Sequence, residues 1–352
     1  MDRPLVAVVL AGGTGTRLYP ASRRHRPKQF QSFGHEQSLL ADTVDRAGFA
    51  DEVYVLTRPE LAESVREHAP QAAVLTEPTP KDTGPALVYA AHRIRDQLSG
   101  AVMITMPSDH RIDGDFASTA RTAAEVAVDT GGLVTVGVEP TRPAPGYGYV
   151  EPGERLDGDC REPSNPSSDA DGAASSDGYH TVASFTEKPD SETAATYVDW
   201  GYYWNAGIFA WTPNAFLGEA RTSSLGPLVE AMDDADPNRG FAAVDPVSVD
   251  YAVLERTDKA YVVPASFEWD DLGSWDAVER LFEADDSGNV VLGDGLLTDA
   301  AENVVATDGH VSLVGVSELV VASYGDRTLV IPKARAQEVR DVVDQLREDG
   351  RY

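Results

Sequence analysis

Apolar and polar positions alternate in blocks along residues 4–138 in a way that predicts repeated strand–helix–strand units. Short apolar runs rich in β-branched residues predict strands at 5–10, 52–57, 72–76, 101–106 and 132–138. Between them, apolar residues recurring at helical spacing predict helices near 38–47, 59–69, 84–98 and 115–129. This rhythm is typical of an α/β fold built on a mostly parallel sheet.

The remainder of the chain predicts fewer regular elements and changes character near its end. Strands are predicted near 179–186 and at 202–211, and the β-rich C-terminal part ends in a helix over about 334–346. Residues 153–178, rich in Asp, Ser, Gly and Pro, predict a solvated acidic surface insert. The predicted units are a larger α/β domain and a small β-rich domain, 1–285 and 286–352.

A glycine-rich loop follows the first predicted strand directly. It reads Leu10-Ala11-Gly12-Gly13-Thr14-Gly15-Thr16-Arg17-Leu18-Tyr19-Pro20 and is followed by Pro27-Lys28-Gln29-Phe30. Its three glycines allow a sharp turn that points several backbone N–H groups at one anion. Arg17 and Lys28 add positive charge in a chain that is otherwise acidic. The loop therefore predicts a phosphate-binding site.

Two familiar phosphate loops do not fit these residues. A Walker A loop ends in Gly-Lys-Ser/Thr, whereas Gly15 is followed by Thr16 and Arg17. A dinucleotide-binding loop would need glycine at Leu18, which argues against a dinucleotide-dependent oxidoreductase. A glycine-rich turn without a ligand remains an alternative for the glycines alone, and the cations Arg17 and Lys28 count against it.

Ligands of parallel sheets bind beyond the carboxyl ends of the strands, where further polar residues are predicted. Asp109 follows one predicted strand, and Asp271 lies in the segment Phe267–Trp275. Two such aspartates on converging loops are suited to hold Mg²⁺ beside a substrate phosphate, although a single Asp in this chain is more often surface charge or a helix cap. Glu187 and Lys188 stand at the end of another predicted strand. There Glu187 is suited to bind sugar hydroxyls and Lys188 a second phosphate; alternatively, the two form an exposed pair.

Composition restricts the class of partner. The 352 residues carry 58 acidic and 29 basic side chains, a formal net charge of −29. Because such a surface repels nucleic acid and anionic membranes, we expect neither as a partner. The single cysteine, Cys160, excludes an intramolecular disulfide and a Cys-based zinc site. No apolar run approaches the ~20 residues of a membrane span and a strand is predicted from residue 5, so we expect a cytoplasmic protein.

The same acidity predicts a halophilic protein, whose fold depends on salt. Screening by concentrated salt weakens the repulsion between surface carboxylates in the folded state. We therefore expect the free energy of unfolding to fall when KCl is lowered from molar to tens of millimolar. Denaturant unfolding at both concentrations measures this effect, and equal stabilities would contradict it.

Several segments stand in an order and spacing similar to one enzyme family. The pattern Leu-Ala-Gly-Gly-x-Gly-x-Arg-Leu-x-Pro, followed by Pro-Lys-Gln-Phe, resembles the nucleotide-binding signature of sugar-1-phosphate nucleotidyltransferases, specifically mannose-1-phosphate guanylyltransferases. The resemblance runs from residue 5 to about 283. It continues through Pro80–Ala86, Pro107–His110, Pro145–Val150, Phe185–Pro189, Trp204–Phe209, Ser248–Val253 and Trp269–Trp275.

This resemblance implies a Rossmann-like, GT-A-like nucleotidyltransferase fold with a mixed sheet flanked by helices. It also implies that GTP and mannose 1-phosphate give GDP-mannose and pyrophosphate by Mg²⁺-assisted in-line attack, without a covalent intermediate. The implied catalytic residues are Arg17, Lys28, Asp109 and Asp271, the last two holding Mg²⁺. The implied nucleotide-binding residues are Leu10, Ala11, Gly12, Gly13, Thr14, Gly15, Thr16, Arg17, Lys28, Pro78, Lys81, Asp82 and Thr83. The implied sugar-phosphate-binding residues are Gly148, Glu187, Lys188 and Asn205.

Some features of the chain depart from the family pattern or leave alternatives. Tyr19 stands where many members have Trp, and Asp82 stands where many have Asn. A different nucleotide or hexose 1-phosphate remains an alternative substrate. A nucleotide-sensing homologue without activity is a further alternative, and the presence of all four implied catalytic residues argues against it. The sequence shows no counterpart of the cupin-like isomerase region of bifunctional relatives, so no isomerase activity is expected. A homo-oligomer is compatible with this prediction.

Overall fold

The computed structural model describes residues 3–13, 15–34, 36–157 and 178–352. Thr14 and most of the predicted acidic insert therefore lie outside the described residues. In the described ranges the strands are β1 (Leu5–Leu10), β2 (Glu52–Thr57), β3 (Ala73–Thr76), β4 (Val102–Pro107), β5 (Arg111–Gly114), β6 (Leu133–Val138), β7 (Tyr149–Asp157), β8 (Gly178–Thr186), β9 (Tyr203–Trp211), β10 (Ala260–Pro264), β11 (Phe267–Asp270), β12 (Val290–Thr298), β13 (Val304–Val314), β14 (Leu319–Tyr324) and β15 (Arg327–Pro332). The α-helices there are α1 (Leu39–Arg46), α2 (Ala62–His68), α3 (Thr83–Gln97), α4 (Phe116–Thr130), α5 (Ser191–Asp199), α6 (Pro213–Arg221), α7 (Gly226–Asp233), α8 (Pro237–Ala242), α9 (Trp275–Leu281) and α10 (Val339–Glu348).

A mixed sheet forms the centre of the larger part of the molecule. Its strand order in the described ranges is β3-β2-β1-β4-β9-β6-β10-β8-β7. The strands β3, β2, β1 and β4 are parallel, whereas β9 runs antiparallel between β4 and β6. The α/β fold with a mixed sheet is therefore confirmed.

Two layers of helices cover the faces of this sheet. Val6, Val8 and the other central residues of β1 are fully buried, because alternate side chains enter opposite cores. One core contains residues of α1, α2 and α4, and the other contains residues of α3, α6 and α7. The five strands and four helices predicted in the first 138 residues all form, with ends shifted by at most three residues.

The C-terminal part is a second, smaller sheet built from consecutive strands. β12, β13 and β14 pair in parallel, and β15 closes the sheet antiparallel to β14. Within this part, the buried Asn303 side chain donates to Asn289 Oδ1 at 2.9 Å and to the Val316 carbonyl at 3.1 Å, so its amino group is satisfied. The predicted β-rich C-terminal part is confirmed.

This small sheet packs against the end of the glycine-rich loop. A third core joins Leu18 and Tyr19 to Trp275 and to residues of β12–β15 and α10. The indole N–H of Trp275 donates to the Tyr19 carbonyl at 3.1 Å. The C-terminal sheet therefore supports the far side of the glycine-rich loop.

Two local predictions differ from the structure, and one small sheet was not predicted. Residues 153–157 of the predicted insert extend β7, which pairs with β8. The C-terminal helix begins only at Val339, because Lys333–Glu338 form a 3₁₀ turn. The two-stranded sheet of β5 and β11 was not predicted. None of the helices in the described ranges is long and apolar enough to cross a bilayer.

Candidate active site

The glycine-rich loop is held at its root by backbone and buried side chains. The Ala11 N–H donates to the Leu56 carbonyl at 2.9 Å, and the Ala11 carbonyl accepts from Thr57 Oγ1 at 2.8 Å and from Gln29 Nε2 at 3.1 Å. Gly15 has φ +63°, and a Cβ there would lie 2.6 Å from Lys28 Cβ. Only glycine therefore fits where the loop passes the lysine.

An ammonium and a guanidinium lie beside two carboxylates at the mouth of this loop. Lys28 Nζ donates to Asp109 Oδ2 at 2.9 Å and to the Asp271 carbonyl at 2.6 Å, and the lysine side chain is only 4% exposed. Arg17 lies 3.7 Å from Asp271 Oδ2. The structure thus brings together the four residues predicted to be catalytic.

The small sheet of β5 and β11 explains why the two aspartates meet. Arg111 of β5 lies opposite Asp270 of β11 in an antiparallel pair. Asp109 precedes β5 by two residues and Asp271 follows β11 directly, so both emerge at the same end of the sheet. Their approach depends on a pairing between segments far apart in sequence.

Both carboxyl groups are ionised at neutral pH. Burial by itself would raise the pKa of Asp109, but Lys28, His110 and Arg17 outweigh it and hold that pKa below its usual value. Burial would also raise the pKa of Asp271, but the charges of Lys28 and Arg17 outweigh it and lower that pKa. Burial lowers the pKa of His110, whose Nδ1 accepts from Trp269 Nε1 at 3.0 Å, so its ring is neutral with the proton on Nε2.

A cavity of about 310 Å³ extends from the glycine-rich loop along the carboxyl edge of the sheet. Its lining includes seven of the predicted nucleotide or catalytic residues, namely Leu10, Gly12, Gly13, Gly15, Asp82, Thr83 and Asp109. Thr16 lies in the 3₁₀ turn beside the loop. Pro78 and Lys81 are not among the described residues that line it, and Lys81 Nζ instead donates to the Val244 carbonyl at 2.6 Å.

Glu77 also lines this cavity, although no role was predicted for it from the sequence. Its side chain is 5% exposed, and its Oε2 is buried without a hydrogen-bond partner among the described residues. Burial raises the pKa of Glu77 to about 7. The positive charge of Arg58 lowers this pKa, and the negative charge of Asp82 raises it. Because a buried carboxylate without a donor is costly, this oxygen points to a ligand that brings N–H groups.

A second group of polar residues lies at or near the ends of β7 and β8 and in β9. A Cβ at Gly148 would lie 2.5 Å from Glu187 Oε2, so the backbone and this carboxylate are in close contact. Asn205 donates to Asp250 Oδ1 at 2.9 Å, and its own Oδ1 accepts from Thr135 Oγ1 at 3.1 Å. The three predicted residues Gly148, Glu187 and Asn205 therefore lie together.

Lys188 and Asp250 complete this group. The ammonium of Lys188 contacts the Glu187 carboxylate, and its side chain is 60% exposed. Burial, together with the negative charge of Glu187, raises the pKa of Asp250 to about 6. Asp250 lies in a turn of π-helix, Asp250–Leu254, a form often found at functional sites.

Tyr147 joins the two groups into one site. Its hydroxyl donates to Asp271 Oδ1 at 3.1 Å, and its carbonyl accepts from the Lys188 N–H at 3.2 Å. Gly207, two residues after Asn205, lies beside His110. Tyr147 therefore connects the cations and aspartates to the cluster of Gly148, Glu187 and Asn205.

The donor set fits Mg²⁺ that is shared with a substrate. The described residues contain no cluster of three or more His, Cys, Asp or Glu side chains arranged for a metal ion. Mg²⁺ is commonly bound by one or two carboxylates, with phosphate and water oxygens completing its shell. Asp109 and Asp271, ionised and on adjoining loops, match that requirement.

Comparison with protein families identifies both parts of the chain. A family model described as nucleotidyl transferase matches residues 6–288. A second, described as the MannoseP isomerase/GMP-like beta-helix domain, matches residues 293–346. The matches agree with the larger α/β part and with the parallel C-terminal strands.

Curated and solved relatives agree with these matches. The alginate biosynthesis protein AlgA of Pseudomonas putida is 33% identical over 368 residues, spanning 99% of this chain and 72% of the relative. The mannose-1-phosphate guanylyltransferase RfbM of Salmonella typhimurium is 34% identical over 370 residues, spanning 98% and 73%. A Thermus thermophilus structure, described as a mannose-1-phosphate geranyltransferase, superposes with TM-score 0.85 at 33% identity and covers 98% of this chain and 99% of that chain. The chain therefore belongs to the nucleotidyl transferase family, in the group of the mannose-1-phosphate guanylyltransferases.

Proposed function

We propose that this chain transfers the GMP group of GTP to mannose 1-phosphate, forming GDP-mannose and releasing pyrophosphate. The observation that carries this proposal is that Lys28 contacts both Asp109, which lines the cavity, and Asp271, which Tyr147 connects to the cluster of Gly148, Glu187 and Asn205. The similarity to curated mannose-1-phosphate guanylyltransferases supports the choice of both substrates.

The proposed reaction is an in-line displacement at the α-phosphorus. A bond forms from an oxygen of the sugar phosphate to phosphorus, while the bond to the bridging oxygen of pyrophosphate breaks. Since the attacking oxygen is already anionic, no base has to remove a proton. The residues then act by positioning and by neutralising charge: Arg17, Lys28 and the backbone N–H groups of Gly12 and Gly13 on the triphosphate, and Lys188 on the sugar phosphate.

The two aspartates take a different part in this proposal. Asp109 and Asp271 would hold Mg²⁺, which supplies further positive charge to the phosphate oxygens. Arg17 and Lys28 keep both carboxylates ionised, so the pair is ready for the metal across the neutral pH range. Tyr147 and the Gly273 N–H orient Asp271 Oδ1, at 3.1 and 2.9 Å.

Glu77 accounts for the preference for guanine in this proposal. Guanine presents two neighbouring donors, N1–H and the N2 amino group, and an ionised carboxylate accepts from both. Adenine presents an acceptor at N1, which the same carboxylate repels. The buried Glu77 Oε2 without a partner would thus be satisfied by guanine and not by adenine.

Replacing Glu77 with Gln is expected to raise KM for GTP by about tenfold or more, because a charge-assisted hydrogen bond is lost. In the parent protein, KM for GTP is expected to increase as the pH falls below about 7, since protonation removes the acceptor. At one pH unit below this value the increase is roughly tenfold. Steady-state kinetics from pH 6 to 8 measure both effects. The exposed Glu63→Gln is the control, and an unchanged KM in Glu77→Gln would exclude Glu77 from base recognition.

Replacing Glu187 with Gln is expected to raise KM for mannose 1-phosphate about tenfold and to leave KM for GTP unchanged. The carboxylate lies against Gly148, in the same cluster as Asn205 and Asp250, so its loss removes a hydroxyl acceptor from the sugar alone. Separate titration of the two substrates distinguishes these effects, with the exposed Glu192→Gln as control. Equal changes for both substrates would contradict the assignment.

Phosphorus NMR of the reaction mixture tests the proposed function. With GTP, mannose 1-phosphate and Mg²⁺ at high KCl, equal amounts of GDP-mannose and pyrophosphate should accumulate. Free GMP or GDP without a sugar nucleotide would indicate hydrolysis instead. Absence of any turnover, with GTP still bound, would favour a nucleotide-sensing role.

A further inference from the structure

The turn that carries Lys28 also borders a second cavity, of about 600 Å³. Lys28 and Gln29 contact the nucleotide side, whereas Pro27, Phe30 and Gln31 line the second cavity. Among the described residues, the two cavities share only Pro80 in their linings. The second cavity is therefore a separate space beside the active site.

Positive charge is concentrated in this second cavity although the chain as a whole is strongly acidic. Among the described residues, three arginines line it, Arg24, Arg26 and Arg58, together with one carboxylate, that of Glu60. His25 and His68 add two imidazole rings. In a chain with a net charge of −29, this excess of cations marks a site for an anion.

Two of these arginines have no salt-bridge partner in the described residues, although the charge of Arg58 acts on Glu77 and opposes the rise of its pKa. Arg26 forms a salt bridge to Asp308 at 2.8 Å, whereas Arg24 and Arg58 form none within 4 Å in the described part of the chain. The Nε of Arg58 is moreover buried without a hydrogen-bond partner there. A buried donor without an acceptor is unfavourable, so a ligand that brings an acceptor oxygen would be stabilised.

A phosphate group suits these residues better than a carboxylate or a chloride ion. The planar guanidinium group donates two parallel N–H bonds to phosphate oxygens, and two arginines together neutralise a dianion. At molar salt the Debye length is ~3 Å, so the distant acidic surface does little to repel such a ligand. Phe30 and Leu61 give the cavity apolar walls, and its volume is in the range of small-molecule sites.

We propose that this second cavity binds a small phosphorylated molecule, whose phosphate is held by Arg24 and Arg58 and whose remaining part lies against Phe30 and Leu61. The site is distinct from the nucleotide cavity and does not require the proposed transfer reaction. Neither Arg24 nor Arg58 belongs to the residues assigned to the triphosphate or the sugar phosphate.

Calorimetric binding of inorganic phosphate and of phenyl phosphate to the full chain, in KCl without nucleotide, tests this proposal. The expected result is that Arg24→Glu and Arg58→Met each raise the Kd by at least tenfold, while Lys28→Met in the nucleotide site leaves it within twofold. Phenyl phosphate should bind more tightly than inorganic phosphate because of the apolar walls. Arg66→Glu, an exposed arginine on α2 outside the cavity lining, is the matched control.

The outcomes separate this site from the active site. Arg24 is exposed, so Arg24→Glu should keep the thermal unfolding temperature even if Arg58→Met does not. No binding by the parent protein, or binding that Lys28→Met abolishes and Arg24→Glu does not change, would overturn the proposal. These binding measurements do not depend on turnover. They therefore test the second cavity even if the chain does not catalyse the proposed transfer reaction.

Discussion

Asp271→Asn is expected to lower kcat by at least ~10²-fold without unfolding the protein, a size typical of losing a preorganised electrostatic contact. Asn keeps the size of the side chain, which is 20% exposed, and can still accept from Tyr147 and from the Gly273 N–H. What it removes is the negative charge next to Arg17 and Lys28. If Asp271 holds Mg²⁺, that charge is what binds the metal.

Two readouts distinguish a metal ligand from a residue that only orients its neighbours. The Mg²⁺ concentration for half-maximal activity should rise in Asp271→Asn, and excess Mg²⁺ should restore part of the rate. Asp286→Asn, an exposed aspartate outside the site, should change neither value. An unaffected kcat in Asp271→Asn would remove this carboxylate from the mechanism.

Lys28→Met is expected to reduce kcat/KM by about 10³-fold, because it removes a buried cation that no solvent ion can replace at the same position. Lys28 is the nearest positive charge to Asp109 and contacts the Asp271 carbonyl as well. Met fills a similar volume beside Gly15, so the turn should keep its packing.

The pH profile gives an independent check on Lys28. Lys28 helps to hold the pKa values of Asp109 and Asp271 below their usual range, so both stay ionised well below neutral pH in the parent protein. Without Lys28 these pKa values rise, and activity should be lost at a higher pH as acid is added. Lys259→Met, which removes an exposed lysine paired with Glu219, is the control. An acid limb at the same pH in Lys28→Met and the parent would contradict this role.

The strands that carry the glycine-rich loop are predictable because they are buried on both faces. β1 is six consecutive apolar residues, and its central valines are fully buried between two helical layers. The loop after it is also predictable, because position 15 requires a glycine that adopts positive φ and leaves room for Lys28. Here local sequence and tertiary packing favour the same backbone structure.

The approach of the two aspartates is not predictable from local sequence. β5 and β11 are four residues each, and β5 contains one apolar side chain, Ile112. Such short segments carry too little periodicity to be recognised, and their pairing joins positions more than 150 residues apart. The residues suggested Asp109 and Asp271 as a pair on converging loops, the resemblance to a known family implied the same pair, and the structure explains how they meet.

Glu77 was missed for a different reason. A glutamate directly after a strand is normally exposed, so nothing in the sequence shows that this one is buried without a partner. The residues predicted in the same segment were Pro78, Lys81, Asp82 and Thr83, of which Asp82 and Thr83 line the cavity in the described residues. Only the folded position of Glu77, whose Oε1 would lie 3.7 Å from a Cβ on Gly12, reveals the buried oxygen. The roles of all these residues stay predictions until the variants are measured.

The most direct test of the central claim compares kcat/KM for two substrate pairs in the same Mg²⁺ and KCl buffer. Pyrophosphate release is measured with GTP and mannose 1-phosphate, and again with UTP and glucose 1-phosphate. The proposed roles of Glu77 and of the Glu187 cluster predict that the first pair is preferred by at least about 10²-fold. Equal turnover of both pairs would contradict the assignment of guanine and mannose, while no pyrophosphate release from any pair would contradict nucleotidyl transfer itself.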